Sequence, residues 1–154
     1  SRVGSDRLAG YWDAMADAEL PIDPKWVVRG KGEIDYGYEA TMRLLELPEK
    51  RRPTAIVTVL DSISIGVIRA LEACGLRAGQ DVAVTGFDDM PVAHHLKPSL
   101  TTLRQPVWEV GRTVIDLLIA LLREEQPAAQ HILLPPELVV RESSQGYSPE
   151  TPGT

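Results

Sequence analysis

Cysteine is nearly absent: Cys74 stands alone in 154 residues, so no internal disulfide can form and the fold must rest on packing. Its place in an apolar helical pattern predicts a buried, inert thiol, which suits a reducing cytoplasm. Positive charge is also scarce. Sixteen Lys and Arg against 22 Asp and Glu leave a formal net charge of -6, the wrong sign for a surface that grips nucleic-acid phosphates. Long apolar runs are missing as well. The longest, residues 114–122, is interrupted by Asp116 and falls well short of the ~18 residues a membrane-spanning helix needs. No secretory leader pattern opens the chain.

Catalytic signatures are likewise lacking. The glycines of RGKGEIDYG, residues 29–37, form neither a dinucleotide fingerprint nor a phosphate loop, and SISIG around Ser64 lacks the leading glycine of a nucleophile elbow. His94 and His95 are adjacent, so their side chains diverge, and no cysteine or third histidine lies near them in the sequence. The expectation is therefore no metal, no cofactor and no enzymatic activity.

What is present is the composition of a soluble globular protein, 44% hydrophobic and 25% charged, of a length that suits one core. The chain opens on Ser1 rather than Met and enters a helical pattern at once, which reads as a piece of a longer protein. Ser5 is placed to cap a helix over 6–18, with Leu8, Trp12 and Met15 as its buried face. A strand is predicted at 26–28 and a loop at 30–32, then a helix over 35–47 stopped by Pro48. TAIVTVL (54–60) and VAVTGF (82–87) are strand-like, with a helix over 62–74 between them that Gly75 ends. A strand at 100–103 precedes a long helix over 106–124, striped by Val107, Val110, Val114, Leu117, Leu118 and Leu121. Strands at 131–134 and 137–141 close the fold, and the apolar-poor tail from Ser143 onward is expected to be disordered. Strands apolar on both faces and alternating with helices call for a doubly wound, mostly parallel α/β sheet.

In such sheets ligands bind beyond the carboxyl ends of the strands. That rule selects Asp61, after the strand at 54–60, and Asp88 with Asp89, after the strand at 82–87. Carboxylates there accept hydrogen bonds from a small polar ligand. Asp61 also sits where a helix N-cap belongs, and Asp89 precedes Pro91 and a short turn, so capping competes with ligand contact for both. Asp88 has no capping duty. Arg7 lies in the first turn of its helix, where a cation opposes the dipole; a ligand or buried carboxylate would explain it, as would a solvated arginine lying over Trp12 or Leu8.

The helix after Asp61 carries Ile63, Val67, Ala70 and Cys74 on one stripe and Ile65, Ile68 and Leu71 beside it. A helix apolar on two sides is buried on two sides. Either another part of the chain or a second subunit covers it, and a subunit interface is the favoured expectation.

The segments DRLAGYWDAM, GYEATMRLL, RPTAIVTVLDSISIGVIRALEACGL, DVAVTGFDDMPVA, PSLTTLRQPVWEVG and ELVVRESS together resemble successive blocks of the lactose-repressor/galactose-repressor family of bacterial regulators, in order and spacing. The resemblance implies an incomplete periplasmic-binding-protein-like (type I) core. Residues 1–104 would form most of the C-terminal effector-binding subdomain without its first strands. Residues 105–130 would belong to the N-terminal subdomain, 131–142 would return, and 143–154 would be tail. It implies a sugar-like small-molecule effector contacted by Arg7, Asp88 and Gln105, to which the strand-end rule adds Asp61 as a ligand-binding residue, and a cytoplasmic homodimer built through Ile65, Ile68, Leu71, His95 and Leu96. Operator DNA would be met only through a helix-turn-helix head outside this chain. The family's mechanism is two-state: effector binding shifts the subdomain angle and so the spacing of paired DNA-reading heads. Two departures stand out. Leu60 replaces a polar amide that often precedes the aspartate, and the loop at 30–34 lacks the aromatic platform of many relatives. An extracytoplasmic sugar receptor of the same fold is the alternative, and an α/β enzyme a third reading.

Overall fold

The structure is a computed structural model that describes residues 2–30, 33–123, 125 and 131–146. The elements run α1 (Arg2–Asp17), α2 (Ile34–Leu45), β1 (Ala55–Val57), α3 (Asp61–Ala73), β2 (Ala83–Phe87), α4 (Pro91–His95), β3 (Thr101–Arg104), α5 (Val107–Leu122), β4 (Glu137–Val139) and α6 (Glu142–Gln145). The four strands form one sheet in the order β1-β2-β3-β4. β1 pairs parallel with β2 in the register Ala55↔Ala83, and β2 pairs parallel with β3 from Thr85↔Thr101, while β4 runs antiparallel to β3, with Arg104 opposite Glu137. The sheet is thus mostly parallel, as the alternation of apolar strands and helices requires.

β2 alternates in burial: Val84 and Gly86 are buried, whereas Ala83, Thr85 and Phe87 are half-buried. α3 packs against β2, and α2 packs on α3. The α2–α3 crossing is so close that a β-carbon at Gly66 would lie 1.9 Å from the Ile34 carbonyl oxygen, so only glycine fits there. The core gathers Ile63, Val67, Ile68 and Leu71 of α3 with Ala78, Val82, Val84, Ala93 and Leu100.

This packing corrects the interface expectation for two residues. Leu71 is fully buried and Ile68 nearly so within this one chain. Of the two covers that the apolar pattern of α3 demands, the sheet supplies one and α2 the other. Ile65 is half-buried, His95 exposed, and Leu96 partly buried against the core.

Other elements also differ from expectation. Residues 24–26 form a 3₁₀ turn rather than the start of a strand, because Asp23 accepts from the Lys25 N–H at 2.9 Å and Pro24 occupies the first helical position. Trp26 is held there by its indole N–H, which donates to the Arg51 carbonyl at 2.9 Å. Residues 131–134 join no ladder, and two prolines, Pro135 and Pro136, follow before β4 begins. The start of the tail is ordered: α6 carries Ser143, fully buried, its hydroxyl accepting from Thr101 N at 2.8 Å and donating to Val84 O at 2.6 Å. Hydrogen bonds rather than apolar area dock this segment, which is why hydropathy misses it. Residues 147–154 lie outside the described residues, as do Lys31 and Gly32 of the loop where an aromatic platform was sought. Cys74 is exposed rather than buried, just beyond the end of α3.

α5 has no buried residue. Val107, Trp108, Val114, Ile115, Leu118, Leu121 and Leu122 are all exposed, Leu122 at 76%. Its apolar stripe is real, and among the described residues nothing covers it. No described helix is long and apolar enough to cross a membrane.

Candidate functional site

Because β1, β2 and β3 are parallel, their carboxyl ends share one rim. Beyond β1 lie Val59 and Leu60, beyond β2 Asp88, and beyond β3 Gln105. α1 brings Arg7 to this rim. Its guanidinium donates from Nη1 to the Val59 carbonyl at 2.5 Å and lies 3.7 Å from the centroid of the Phe87 ring. A cation against an aromatic face gains from the ring's quadrupole, so Phe87 and Val59 hold the side chain without neutralising it. Arg7 pairs with no carboxylate among the described residues. Of the protein partners expected for it, neither a buried acid nor the ring of Trp12 receives it among the described residues; the ring that does, Phe87, is not singled out by the sequence.

Asp88 follows directly on Phe87, with φ +118°. Its carboxylate accepts from the Gln105 amide, Nε2 to Oδ1, at 2.5 Å. The rim therefore carries the Asp88–Gln105 pair and, over the ring of the preceding residue Phe87, the Arg7 guanidinium.

Asp61 stands apart from them. It is not the N-cap of α3, a position held by Leu60, but the helix's first residue, and it is fully buried. Its Oδ2 accepts from Met90 N at 2.7 Å and its Oδ1 from the Thr102 hydroxyl at 2.6 Å. A carboxylate enclosed in this way is closed to a ligand and instead ties α3 to the segment after β2 and to β3. Gly86 makes room for it: a β-carbon there would lie 2.2 Å from Asp61 Oδ1. Nearby, the Thr58 and Ser64 hydroxyls lie 2.6 Å apart, both buried. The floor beneath the rim is thus a hydrogen-bonded polar layer of Thr58, Asp61, Ser64 and Thr102, as buried polar groups require.

Asp89 does not cap α4 either, since Met90 takes that place. Its oxygens accept from Arg104 Nε at 2.7 Å and Arg141 Nη2 at 2.6 Å. Burial pushes its carboxyl up, but the hydrogen bonds from Arg141 and Arg104 outweigh that and hold it below the usual carboxylate range. Neither arginine was singled out from the sequence. The sequence offered little signal for them: Asp89 reads equally as a cap before Pro91, and Arg141 only ends the apolar run LVVR.

A hollow of about 240 Å³, lined by Met42, Leu45, Cys74 and Leu76 among others, lies at the carboxyl ends of α2 and α3, away from the rim. His94 and His95 sit ring to ring at 5.3 Å, and no cluster of three or more metal-ligating side chains occurs among the described residues.

The comparisons agree with this geometry. Residues 1–144 match the family described as periplasmic binding protein-like domain. The ribose operon repressor of Haemophilus influenzae is 32% identical over 92% of this chain and 42% of its own length. Among solved structures, a regulatory protein of the LacI family from Chloroflexus aggregans superimposes with a TM-score of 0.90 at 46% identity, covering 94% of this chain and 51% of that one. A complex of the transcriptional regulator CelR with cellobiose does so with a TM-score of 0.81 at 34% identity, covering 92% and 42%. The chain therefore spans about two fifths to half the length of the proteins it matches. With the family matched almost from end to end and the parallel sheet, crossover and rim in place, the chain belongs to the periplasmic-binding-protein-like domain family, in the form carried by LacI-family transcription regulators.

Proposed function

We propose that this chain is the effector-binding part of a DNA-binding transcription repressor. Its effector is a sugar or a related small polar metabolite, contacted by Arg7, Asp88 and Gln105. The observation that carries this reading is the placement, on one rim beyond a parallel sheet, of an arginine that meets no carboxylate among the described residues and of a carboxylate paired with an amide. A guanidinium only donates and a carboxylate only accepts. Each hydroxyl of a sugar does both, so neighbouring hydroxyls can bridge this set. The cellobiose bound to a structural neighbour favours the same chemical class. Asp61 supports the rim from below and takes no part in contact.

The exposed apolar stripe of α5 is the basis for the domain division: residues 105–130 belong to a second subdomain, and 1–104 with 131–142 form most of the first. Effector held between the two stabilises one relative angle and shifts the population toward it. A second copy docks through Ile65, His95 and Leu96, with Ile68 and Leu71 behind them in the core. Operator contact lies outside this acidic chain, the protein works in the cytoplasm, and no catalytic role is assigned.

The test is calorimetric titration of the intact protein with D-ribose, D-glucose and cellobiose, repeated on Arg7→Ala. Loss of a charge-assisted hydrogen bond, ~1.5 to 3 kcal/mol, weakens binding about 10- to 150-fold, while DNA binding by the intact protein is retained. Wild-type affinity in Arg7→Ala would remove Arg7 from the site, and no binding of any of the three sugars would remove the proposed class.

A further inference from the structure

The backbone at the end of β2 is unusual. Asp88 has φ +118° and Asp89 has φ +52°, two consecutive side-chain-bearing residues with positive φ. Aspartate tolerates the left-handed well better than most residues, but +118° lies outside that well. Such a conformation persists only where its surroundings over-determine it.

Here they do. Three successive backbone N–H groups are each held by a different acceptor: Asp88 N by Leu103 O at 2.9 Å, Asp89 N by Thr102 Oγ1 at 3.3 Å, and Met90 N by Asp61 Oδ2 at 2.7 Å. The Asp89 carboxylate adds the two arginines. Its side chain is 10% exposed, and Arg141, at 13%, forms the sheltered arm. Arg104, at 49%, forms the solvated one. Both arms continue outward: Arg141 donates to Leu100 O at 2.7 Å, and Arg104 reaches Glu137 at 3.1 Å. Arg104 ends β3 and Glu137 begins β4, opposite one another in the ladder. They therefore frame the points where the chain departs for α5 and comes back.

We propose that Asp89 is a positioning residue: through Arg141 and Arg104 it holds the strained turn that presents Asp88 on the rim, and fastens that turn to the two strands flanking the α5 excursion. The functional half of this inference rests on the effector reading above; the structural half does not. Asp88 keeps its amide partner Gln105 free of the arginines, whereas both oxygens of Asp89 are taken by them. The two adjacent acids thus divide the work of contact and support.

Hydrogen–deuterium exchange on the intact, folded protein tests the structural half. Asp89→Asn is expected to speed amide exchange at residues 88–90 at least tenfold while Leu71 and Val84 keep wild-type protection. Arg141→Gln is expected to have a larger effect there than Arg104→Gln, following the sheltered and solvated arms, and Arg141→Lys is expected to recover part of the protection. Should Asp89→Asn fail to fold, the two arginine variants decide. Unchanged exchange at 88–90 in a folded Asp89→Asn, or in both arginine-to-glutamine variants, overturns the proposal. Titration of cellobiose and D-ribose into Asp89→Asn tests the functional half, with at least tenfold weaker binding expected; wild-type affinity counts against the proposal. If neither sugar binds the wild-type protein, the effector reading fails and the exchange result alone decides the role of Asp89.

Discussion

Removing the Thr102 hydroxyl while keeping the side chain's shape, by Thr102→Val, probes the polar floor most directly. The hydroxyl donates to the Asp61 carboxylate at 2.6 Å and accepts from Asp89 N at 3.3 Å, and Thr102 is fully buried. A hydrogen bond to a charged acceptor contributes about 1.5 to 3 kcal/mol. The orphaned Asp89 N–H adds about 1 kcal/mol, the lower end of the desolvation range, because its bond is long. The sum is about 2.5 to 4 kcal/mol, or roughly 5 to 15 °C in melting temperature for a domain of this size. Thr102→Ser keeps the hydroxyl and loses one methyl, at about 1 kcal/mol. The difference between the two variants, read by urea unfolding with far-UV circular dichroism, isolates the hydroxyl. If Thr102→Val costs no more than Thr102→Ser, the hydroxyl holds nothing that water or a neighbour cannot replace, and the account of Asp61 as the tie beneath the rim is wrong.

Two further outcomes are expected. Gly66→Ala forces a β-carbon onto the Ile34 carbonyl, so α2 and α3 must part; a loss of about 3 kcal/mol or more is expected in the same unfolding assay, and a loss below about 1 kcal/mol would contradict the crossing. Hydrogen bonds to Glu142 from the Ser99 backbone N–H at 2.8 Å and its hydroxyl at 2.9 Å hold that carboxyl below its ordinary value of 4.5. A depressed folded pKa contributes stability that is present above the unfolded value and lost as pH falls through the folded one. α6 should therefore loosen only as pH drops below about 4.5, seen as faster amide exchange at 142–145, and Glu142→Gln should flatten that dependence.

The sequence made the architecture legible where one physical signal acted alone. Apolar strands alternating with helices dictated parallel β1, β2 and β3, and with them the position of Asp88 on the rim beyond β2. Legibility failed where two signals competed or where the deciding contact was remote. Trp26 and Val27 favour extended structure, yet Asp23 and Pro24 impose a turn. The two-sided stripe of α3 announced two covers but could not name α2 as one of them. Asp61 and Ser143 are polar residues buried by bonds to partners 29 to 59 positions away, and no local pattern carries that information. Phe87 read as an ordinary strand residue because its part, lying under Arg7, depends on where α1 docks.

The pairing of β3 with β4 also bears on synthesis. Until residues 137–143 emerge from the ribosome, Thr101 N lacks the Ser143 hydroxyl that accepts from it and Val84 O lacks the same hydroxyl as its donor. That is a wait of roughly forty residues after β3, about 2 to 8 s at ~5 to 20 residues per second. Through that interval the nascent sheet presents an open edge beside the freshly made, greasy α5, the moment at which a chaperone has most to shield.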